Sequence, residues 1–345
     1  MKGMAVCDYG RPLERMELPA PDLRPGHALL EVLTCGVCFS DVKTSRGKMP
    51  YSPDLSLPHV PGHEVCARVL DTDPRGALEP GTLVVVHHVW PCRRCDRCRA
   101  GQENICREPQ AWMGFTHPGG FQERVVAPID RLTPVPPGID AVHAAPMTCA
   151  LGTAYRSVVT RGRVVAGTRV VVIGLGGVGL HALQVANAVG ALAIGLDVSD
   201  RAIATAHELG LDARRGDAAG IEAELLAASG GEGADVVVDA VGRDATIRQA
   251  ERLVRPGGRI VAVGYAVDTS FAVPAARFVL EEVELIGSRY VQRDELARAI
   301  RLVAEGRVRM VVDRVTPLEA ANDALAALEA NEVVGRVVLD VAGVT

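Results

Sequence analysis

The chain has 345 residues, of which 48% are hydrophobic and 23% are charged, and its formal net charge is −5. This length predicts two domains, and the composition is that of a folded globular protein. Acidic and basic residues are interspersed, so we expect no nucleic-acid partner, and no apolar run is long enough to predict a membrane span. Nine cysteines without a secretory leader indicate a reducing, cytoplasmic compartment, where clustered cysteines bind metals or serve catalysis.

Taken in chain order, the first 150 or so residues are rich in predicted strands. Short apolar runs interrupted by Pro and Gly predict strands at 27–33, 65–70, 83–86 and 124–127. Further along, strands are predicted at 169–173, 192–197, 235–239, 259–263, 283–287 and 336–341, and helices at 178–189, 201–209 and 294–305. The alternation of strands and helices after residue 168 predicts an α/β fold with a doubly wound parallel sheet.

A glycine-rich motif opens the helix predicted at 178–189. The motif consists of Gly174, Leu175, Gly176, Gly177, Val178 and Gly179. It fits G-x-G-x-x-G directly after an apolar strand, which is the context of a dinucleotide-binding turn. Asp197 ends the next strand, where its carboxylate would bind ribose hydroxyls and repel a 2′-phosphate. The pattern therefore predicts NAD as the cofactor, with NADP less favoured.

Four cysteines, Cys92, Cys95, Cys98 and Cys106, follow one another with the spacing C-x2-C-x2-C-x7-C. Four thiolates in one short loop predict a closed tetrahedral zinc site, whose role is structural because it has no open coordination position. An iron–sulfur cluster and disulfides are the alternatives, and a reducing compartment disfavours the disulfides.

A second candidate set, Cys38, His63 and Cys149, is scattered along the chain. Two thiolates and one imidazole are the three protein ligands that a catalytic zinc requires. Spacing alone does not establish this site, because single cysteines and histidines usually belong to the core. Cys35 and Cys38 also form a C-x-x-C pair, although the βαβ pattern of a redox motif is missing around them.

Taken together, these motifs closely resemble the zinc-containing medium-chain alcohol dehydrogenase family over nearly the whole chain. The matching stretches are Gly36-Val-Cys38-Phe-Ser40-Asp41, Pro61-Gly-His63-Glu64, the four-cysteine loop, Gly119-Gly-Phe-Gln-Glu123, Cys149-Ala-Leu-Gly-Thr153 and the glycine motif. The resemblance implies a GroES-like β-rich catalytic domain at 1–150 with a zinc lobe at 90–107. It further implies a Rossmann domain at 151–289, and a return to the catalytic domain at 290–345.

The resemblance implies a ligand set for each of two zinc ions per chain. Cys38, His63 and Cys149 would hold the catalytic zinc, and the four-cysteine loop would hold the structural one. Glu64 would stand behind the catalytic metal as a possible exchange ligand. Asp41 would orient the histidine ligand.

Other positions would act on the substrate and the cofactor. The resemblance implies that Ser40 takes the alcohol proton and that Thr153 lies beside the nicotinamide. Two positions depart from the family pattern. Lys43 stands where a histidine usually ends the proton relay, and it is one of only three lysines in this chain. His88 stands where the substrate pocket often has a bulky apolar residue.

The activity implied is the reversible oxidation of a primary or secondary alcohol to an aldehyde or ketone, with hydride transfer to NAD. The partners implied are a small-molecule alcohol or carbonyl compound and further copies of the chain in a homodimer or homotetramer. A zinc-free reductase would lack the zinc ligands, and a non-enzymatic relative would have lost Ser40, Asp41 or Glu64, all of which are present. The alternative is a polyol or hydroxy-acyl dehydrogenase, although polyol enzymes commonly have a carboxylate where Cys149 stands.

Overall fold

The computed structural model describes residues 1–73 and 78–344. Its strands are β1 (Lys2–Ala5), β2 (Glu14–Glu17), β3 (His27–Val37), β4 (Glu64–Thr72), β5 (Leu83–Val86), β6 (Val89–Trp90), β7 (Ala111–Trp112), β8 (Arg124–Pro128), β9 (Leu132–Pro134), β10 (Arg169–Ile173), β11 (Leu192–Asp197), β12 (Asp212–Arg215), β13 (Ala234–Asp239), β14 (Val254–Ala262), β15 (Glu284–Gly287), β16 (Val312–Pro317) and β17 (Arg336–Asp340). Its helices are α1 (Phe39–Ser45), α2 (Asp96–Arg99), α3 (Ala141–Ala144), α4 (Ala150–Tyr155), α5 (Gly179–Ala188), α6 (Asp200–Glu208), α7 (Ile221–Ala228), α8 (Asp244–Leu253), α9 (Ala275–Leu280), α10 (Arg293–Ala304) and α11 (Ala321–Glu329). A π-helical segment lies at Arg156–Arg161, and 3₁₀ helices lie at Ser52–Asp54, Glu103–Ile105, Ile129–Arg131, Ala145–Thr148 and Leu318–Ala320.

The chain divides into two compact units. The first unit comprises Met1–Cys149, Gln292–Ile300 and the described chain from Met310 onward. The second unit comprises Ala150–Val291 and Arg301–Arg309, so that helix α10 contributes residues to both. None of the helices in the described ranges is long and apolar enough to cross a membrane.

The first unit is built on a sheet with the strand order β16-β17-β3-β4-β5-β9, in which β8 also pairs with β3. Strand β3 extends to Val37, beyond the predicted end at residue 33, because its last residues pair with β4 on one side and β17 on the other. The partners are far away in sequence, as in the pair Val37 and Val337, so local pattern does not reveal them. This pairing brings the end of β3 beside the starts of β4 and β17.

The second unit contains six parallel strands in the order β12-β11-β10-β13-β14-β15. The first strand in the chain lies at the centre and later strands extend on both sides, which confirms the predicted doubly wound sheet. Strand β14 starts at Val254 rather than at residue 259. The register of the pairing with β13 shifts between Ala234 and Val236. This shift accommodates the Pro-Gly-Gly segment of β14, whose sequence is typical of a turn.

Candidate active site and metal centres

Four cysteine thiols converge in the loop between β6 and β7. The Sγ atoms of Cys95 and Cys98 lie 3.5 Å apart, and Cys92–Cys98 and Cys95–Cys106 are each separated by 3.9 Å. With zinc–sulfur bonds of about 2.3 Å, a tetrahedral site has sulfur–sulfur edges of about 3.8 Å. All nine cysteines are free of disulfides. The donor set and its spacing therefore fit one closed zinc site.

Backbone N–H groups point at these sulfur atoms. The N–H of Cys92 donates to Cys106 Sγ at 3.3 Å, and the N–H of Cys95 donates to Cys92 Sγ at 3.4 Å. The N–H groups of Arg107 and Cys98 lower the pKa of the Cys95 thiol to about 6. Burial raises the pKa of Cys98 and of Cys106, so Cys95 is a thiol of this loop whose thiolate, the form that binds metals, is favoured by its surroundings.

A second cluster lies in the first unit at the end of β3. Cys38, His63, Glu64 and Cys149 each bring one donor atom to within 4.8 Å of the others. Cys38 follows β3, His63 and Glu64 stand at the start of β4, and Cys149 follows the 3₁₀ helix at Ala145–Thr148. The two thiols and the imidazole, at this separation, fit the ligand set of a catalytic zinc.

The fully buried carboxylate of Asp41 lies behind this cluster. It accepts hydrogen bonds from the N–H of Cys38 at 2.8 Å and from the N–H of Gly62 at 3.2 Å. Its Oδ1 also lies 3.1 Å from His63 Nδ1. With Nδ1 engaged by Asp41, Nε2 is the ring nitrogen of His63 that is left for a metal.

Arg336, the first residue of β17, was not among the residues that the sequence indicated. Its Nε donates to both carboxylate oxygens of Glu64, at 3.0 and 3.2 Å, and its Nη2 lies 3.6 Å from Cys38 Sγ. Both members of this ion pair are buried. Burial raises the pKa of Glu64 to about 7 even though the charge of Arg336 opposes the shift. The one available signal was a basic residue immediately before the apolar run at 337–339.

Aromatic side chains gather next to His63, although the chain has only two Trp, five Tyr and five Phe residues. The ring of Phe115 lies 4.6 Å from His63, and Tyr51 contacts both Phe115 and Trp112. His88 is buried in the same group, with its ring 5.1 Å from that of His63. The cluster of metal-binding side chains is therefore bordered by an aromatic wall that includes one more imidazole.

Helix α1 carries the two further candidates for proton transfer. Ser40 lies half-buried in its first turn, two residues after Cys38. Lys43 lies one turn later, and its Nζ is 5.9 Å from the centre of the Phe39 ring. Burial lowers the pKa of Lys43, while the charge of Cys38 acts in the opposite direction.

In the second unit, the glycine motif forms the turn between β10 and α5. Gly174 has a φ of +86°, a left-handed conformation that favours glycine. A Cβ on Gly179 would lie 1.6 Å from the carbonyl oxygen of Gly174, so only glycine fits there. A Cβ on Gly176 would meet nothing within 4 Å, which leaves the space that a closely approaching pyrophosphate needs. Gly177 and Val178 complete the turn, and the helix begins at Gly179.

Asp197 ends β11 beside this turn. Its two oxygens accept hydrogen bonds from the backbone N–H groups of Leu175 at 2.5 Å and of Ser199 at 2.8 Å. The carboxylate is therefore held against the glycine turn, where the motif requires an acid for the ribose. Thr153 is buried in α4 of the same unit.

Comparison with known proteins agrees with this arrangement. Residues 24–137 match the alcohol dehydrogenase GroES-like domain, and residues 177–305 match the zinc-binding dehydrogenase domain. A fold with these two domains and two cysteine-rich metal-binding clusters defines a zinc-binding dehydrogenase.

Relatives match over the full length. An alcohol dehydrogenase of Geobacillus stearothermophilus is 33% identical, covering 99% of this chain and 100% of the relative. An NAD-dependent alcohol dehydrogenase of Sulfurisphaera tokodaii is 31% identical, covering 98% and 99% respectively. The crystal structure of the alcohol dehydrogenase of Aeropyrum pernix superposes with a TM-score of 0.91 at 28% identity, covering 99% of this chain and all of that one.

The chain belongs to the zinc-containing medium-chain alcohol dehydrogenase family. It is an NAD-dependent oxidoreductase whose substrates are small molecules, which confirms the reaction class predicted from the sequence.

Proposed function

We propose that this enzyme oxidises a primary or secondary alcohol reversibly to the aldehyde or ketone at the cluster of Cys38, His63 and Cys149. The observation that carries the proposal is the meeting of two thiols and one imidazole around one point beside a buried carboxylate. Three protein ligands leave one coordination position for substrate, unlike the closed set of four cysteines. NAD receives the hydride.

Two zinc ions per chain belong to the proposal. The four-cysteine loop would hold a structural ion, and Cys38, His63 and Cys149 would hold a catalytic one. When bound, zinc acts as a Lewis acid that makes the hydroxyl proton of the alcohol more acidic. Glu64 would be the possible exchange ligand of this ion, and Arg336, which donates to both of its oxygens, neutralises its charge.

The side chains of the protein hold and move protons near the reacting hydroxyl group. Asp41 accepts a hydrogen bond from the Nδ1–H of His63 and so fixes the tautomer of this residue. Ser40 Oγ accepts the hydroxyl proton of the alcohol and releases its own proton to the NAD ribose. Lys43, in its neutral form, takes up the proton at the end of this relay and releases it to solvent. The lowered pKa of Lys43 supports this role because a relay group must release its proton readily. Thr153 lies beside the nicotinamide in this scheme.

Preference for NAD over NADP is assigned to Asp197. Its carboxylate, held by two backbone N–H groups at the glycine turn, is available to accept bonds from ribose hydroxyls. A 2′-phosphate at the same place would meet its negative charge.

The substrate is proposed to carry a polar group beyond the reacting carbon. His88 lies within the aromatic wall beside His63, and its imidazole can bond to an oxygen of a bound molecule. A polyol or hydroxy-acyl substrate is the alternative that this residue favours. A panel of alcohols tests the idea: hydroxy-bearing or acidic alcohols should give higher kcat/KM than simple aliphatic and benzylic ones. The reverse ranking would exclude a polar pocket.

Matched cysteine variants test the two zinc assignments. Cys38→Ser should remain folded, contain about one zinc ion per chain and lose turnover, because only the catalytic set is broken. Cys95→Ser should lose solubility or thermal stability, because structural metal binding contributes directly to folding. Elemental analysis and thermal unfolding on purified protein provide the measurements. A stable and active Cys95→Ser enzyme would contradict the structural assignment.

Three broader expectations complete the proposal. The sequence-based division into a catalytic domain at 1–150, a Rossmann domain at 151–289 and a return at 290–345 is retained. A homodimer or homotetramer is supported by the exposed apolar side chains of Val279 and Leu280, which precede edge strand β15. The clustered free thiols support a reducing, cytoplasmic compartment.

A further inference from the structure

A polar cavity of about 460 Å³ opens in the second unit, near the amino-terminal ends of β10, β13 and β14. The glycine turn follows the opposite, carboxyl end of β10, so this cavity is separate from the dinucleotide-binding turn. Its charged lining residues are Arg163, Arg255, Arg259 and Asp235. Glu284 lies beside Arg259 as well, so three guanidinium groups meet two carboxylates here, in a chain whose overall charge is −5.

The three arginines differ in how far their donors are already used. Arg259 donates to both oxygens of Glu284, at 3.0 and 2.6 Å, and to the carbonyl of Gly162 at 3.1 Å. Arg255 binds Asp235 through Nε at 2.6 Å and the carbonyl of Pro256 through Nη1, which leaves Nη2 available. Within residues 1–73 and 78–344, Arg163 makes neither a hydrogen bond nor an ion pair. The cavity therefore presents unused guanidinium donors.

The backbone of Arg163 is also unusual. Its φ is +55°, in the left-handed region, just beyond the π-helical segment at Arg156–Arg161. Glycine is the common residue after a helix in this conformation, because a Cβ there clashes with the backbone. Four other described non-glycine residues also have a positive φ, so the conformation singles out Arg163 only in combination with its place in the cavity.

We propose that this cavity binds a phosphate group. Arg163 and the free Nη2 of Arg255 supply the contacts, since guanidinium donors match the geometry of phosphate oxygens. Arg259 is paired with Glu284 and Arg255 with Asp235, so the uncompensated positive charge of the site is that of Arg163. The phosphate can be inorganic or part of a larger phosphorylated molecule, and the inference does not depend on which alcohol the enzyme oxidises.

Titration calorimetry on the NADH-saturated enzyme tests the proposal, because bound NADH occupies the glycine turn. Inorganic phosphate and glycerol 2-phosphate are each titrated, with chloride at the same ionic strength as reference. The Kd for phosphate should rise by about tenfold or more in Arg163→Gly, since one charged hydrogen-bonding group is lost. The Tm of this variant without phosphate should equal or exceed that of the unmodified enzyme, because its backbone is relieved of strain.

Two further variants separate the loss of the Arg163 charge from the relief of backbone strain and from the loss of side-chain length. Glu282→Gly relieves the same kind of conformation, at a φ of +51° on an exposed residue of the same unit, and should keep full phosphate affinity. Arg163→Gln keeps a long side chain without charge and should lose affinity as Arg163→Gly does. Tighter binding of inorganic phosphate would indicate a site for the free anion, and tighter binding of glycerol 2-phosphate would indicate a site for a phosphorylated molecule. Either result supports the site. Absence of binding to the NADH-saturated enzyme, or equal affinity in Arg163→Gly, would overturn the proposal.

Discussion

The ion pair between Glu64 and Arg336 offers the sharpest test of how the first unit is built. The Glu64 side chain is 0% exposed and that of Arg336 is 5% exposed, so water solvates neither charge. Replacing Arg336 by Met leaves the Glu64 carboxylate buried without its partner. Breaking a buried pair in this way typically costs about 3–5 kcal/mol of unfolding free energy. We expect a loss of that size in Arg336→Met.

Replacing both partners should cost much less than replacing one. In Glu64→Leu/Arg336→Met, two apolar side chains fill the space and no buried charge remains, so the double variant should recover to within about 1–2 kcal/mol of the unmodified enzyme. Urea unfolding followed by tryptophan fluorescence measures the unfolding free energy of the first unit. Both tryptophans, Trp90 and Trp112, lie in the first unit together with the ion pair.

Two outcomes of these measurements would contradict a buried ion pair that is costly to break. If Arg336→Met lowers the unfolding free energy by less than about 1 kcal/mol, burial does not make this pair costly to break. If the double variant is no more stable than Arg336→Met alone, the loss comes from packing around Arg336 and not from the uncompensated charge. Glu64→Leu alone completes the cycle by leaving Arg336 without its carboxylate.

Two further predictions concern the cofactor and the proton path. Asp197→Gly should lower the ratio of kcat/KM for NAD to kcat/KM for NADP by about tenfold or more, because the charge that repels a 2′-phosphate is removed. Equal use of both cofactors by the unmodified enzyme would refute the role assigned to Asp197. Lys43→Met should lower kcat for alcohol oxidation by about tenfold or more and shift its pH profile, with the Kd for NAD little changed. Lys43→Arg should not restore turnover, since arginine stays protonated, and full recovery at every pH would exclude a relay through Lys43.

The sequence alone determined the parts of this protein whose residues act locally. The glycine motif is contiguous because a single strand–turn–helix connection forms the pyrophosphate-binding turn, so Gly174, Gly176 and Gly179 are recognisable in one line of sequence. The four cysteines are close together for the same reason, because one loop folds around one metal. The doubly wound sheet was also predictable, since its strands alternate with helices along the chain.

Tertiary structure alone decided what depends on strands that are distant in sequence. Glu64 and Arg336 are 272 residues apart and meet because β4 and β17 flank the end of β3, which also continues to Val37 on account of those two neighbours. Pairing between strands requires backbone hydrogen bonds that no local pattern encodes, so neither the length of β3 nor the partner of Glu64 was visible beforehand. The gathering of Phe115 and His88 around His63 has the same origin. The identities of the reactive groups lie in the sequence, whereas the neighbours that set their charge and surroundings come from the fold.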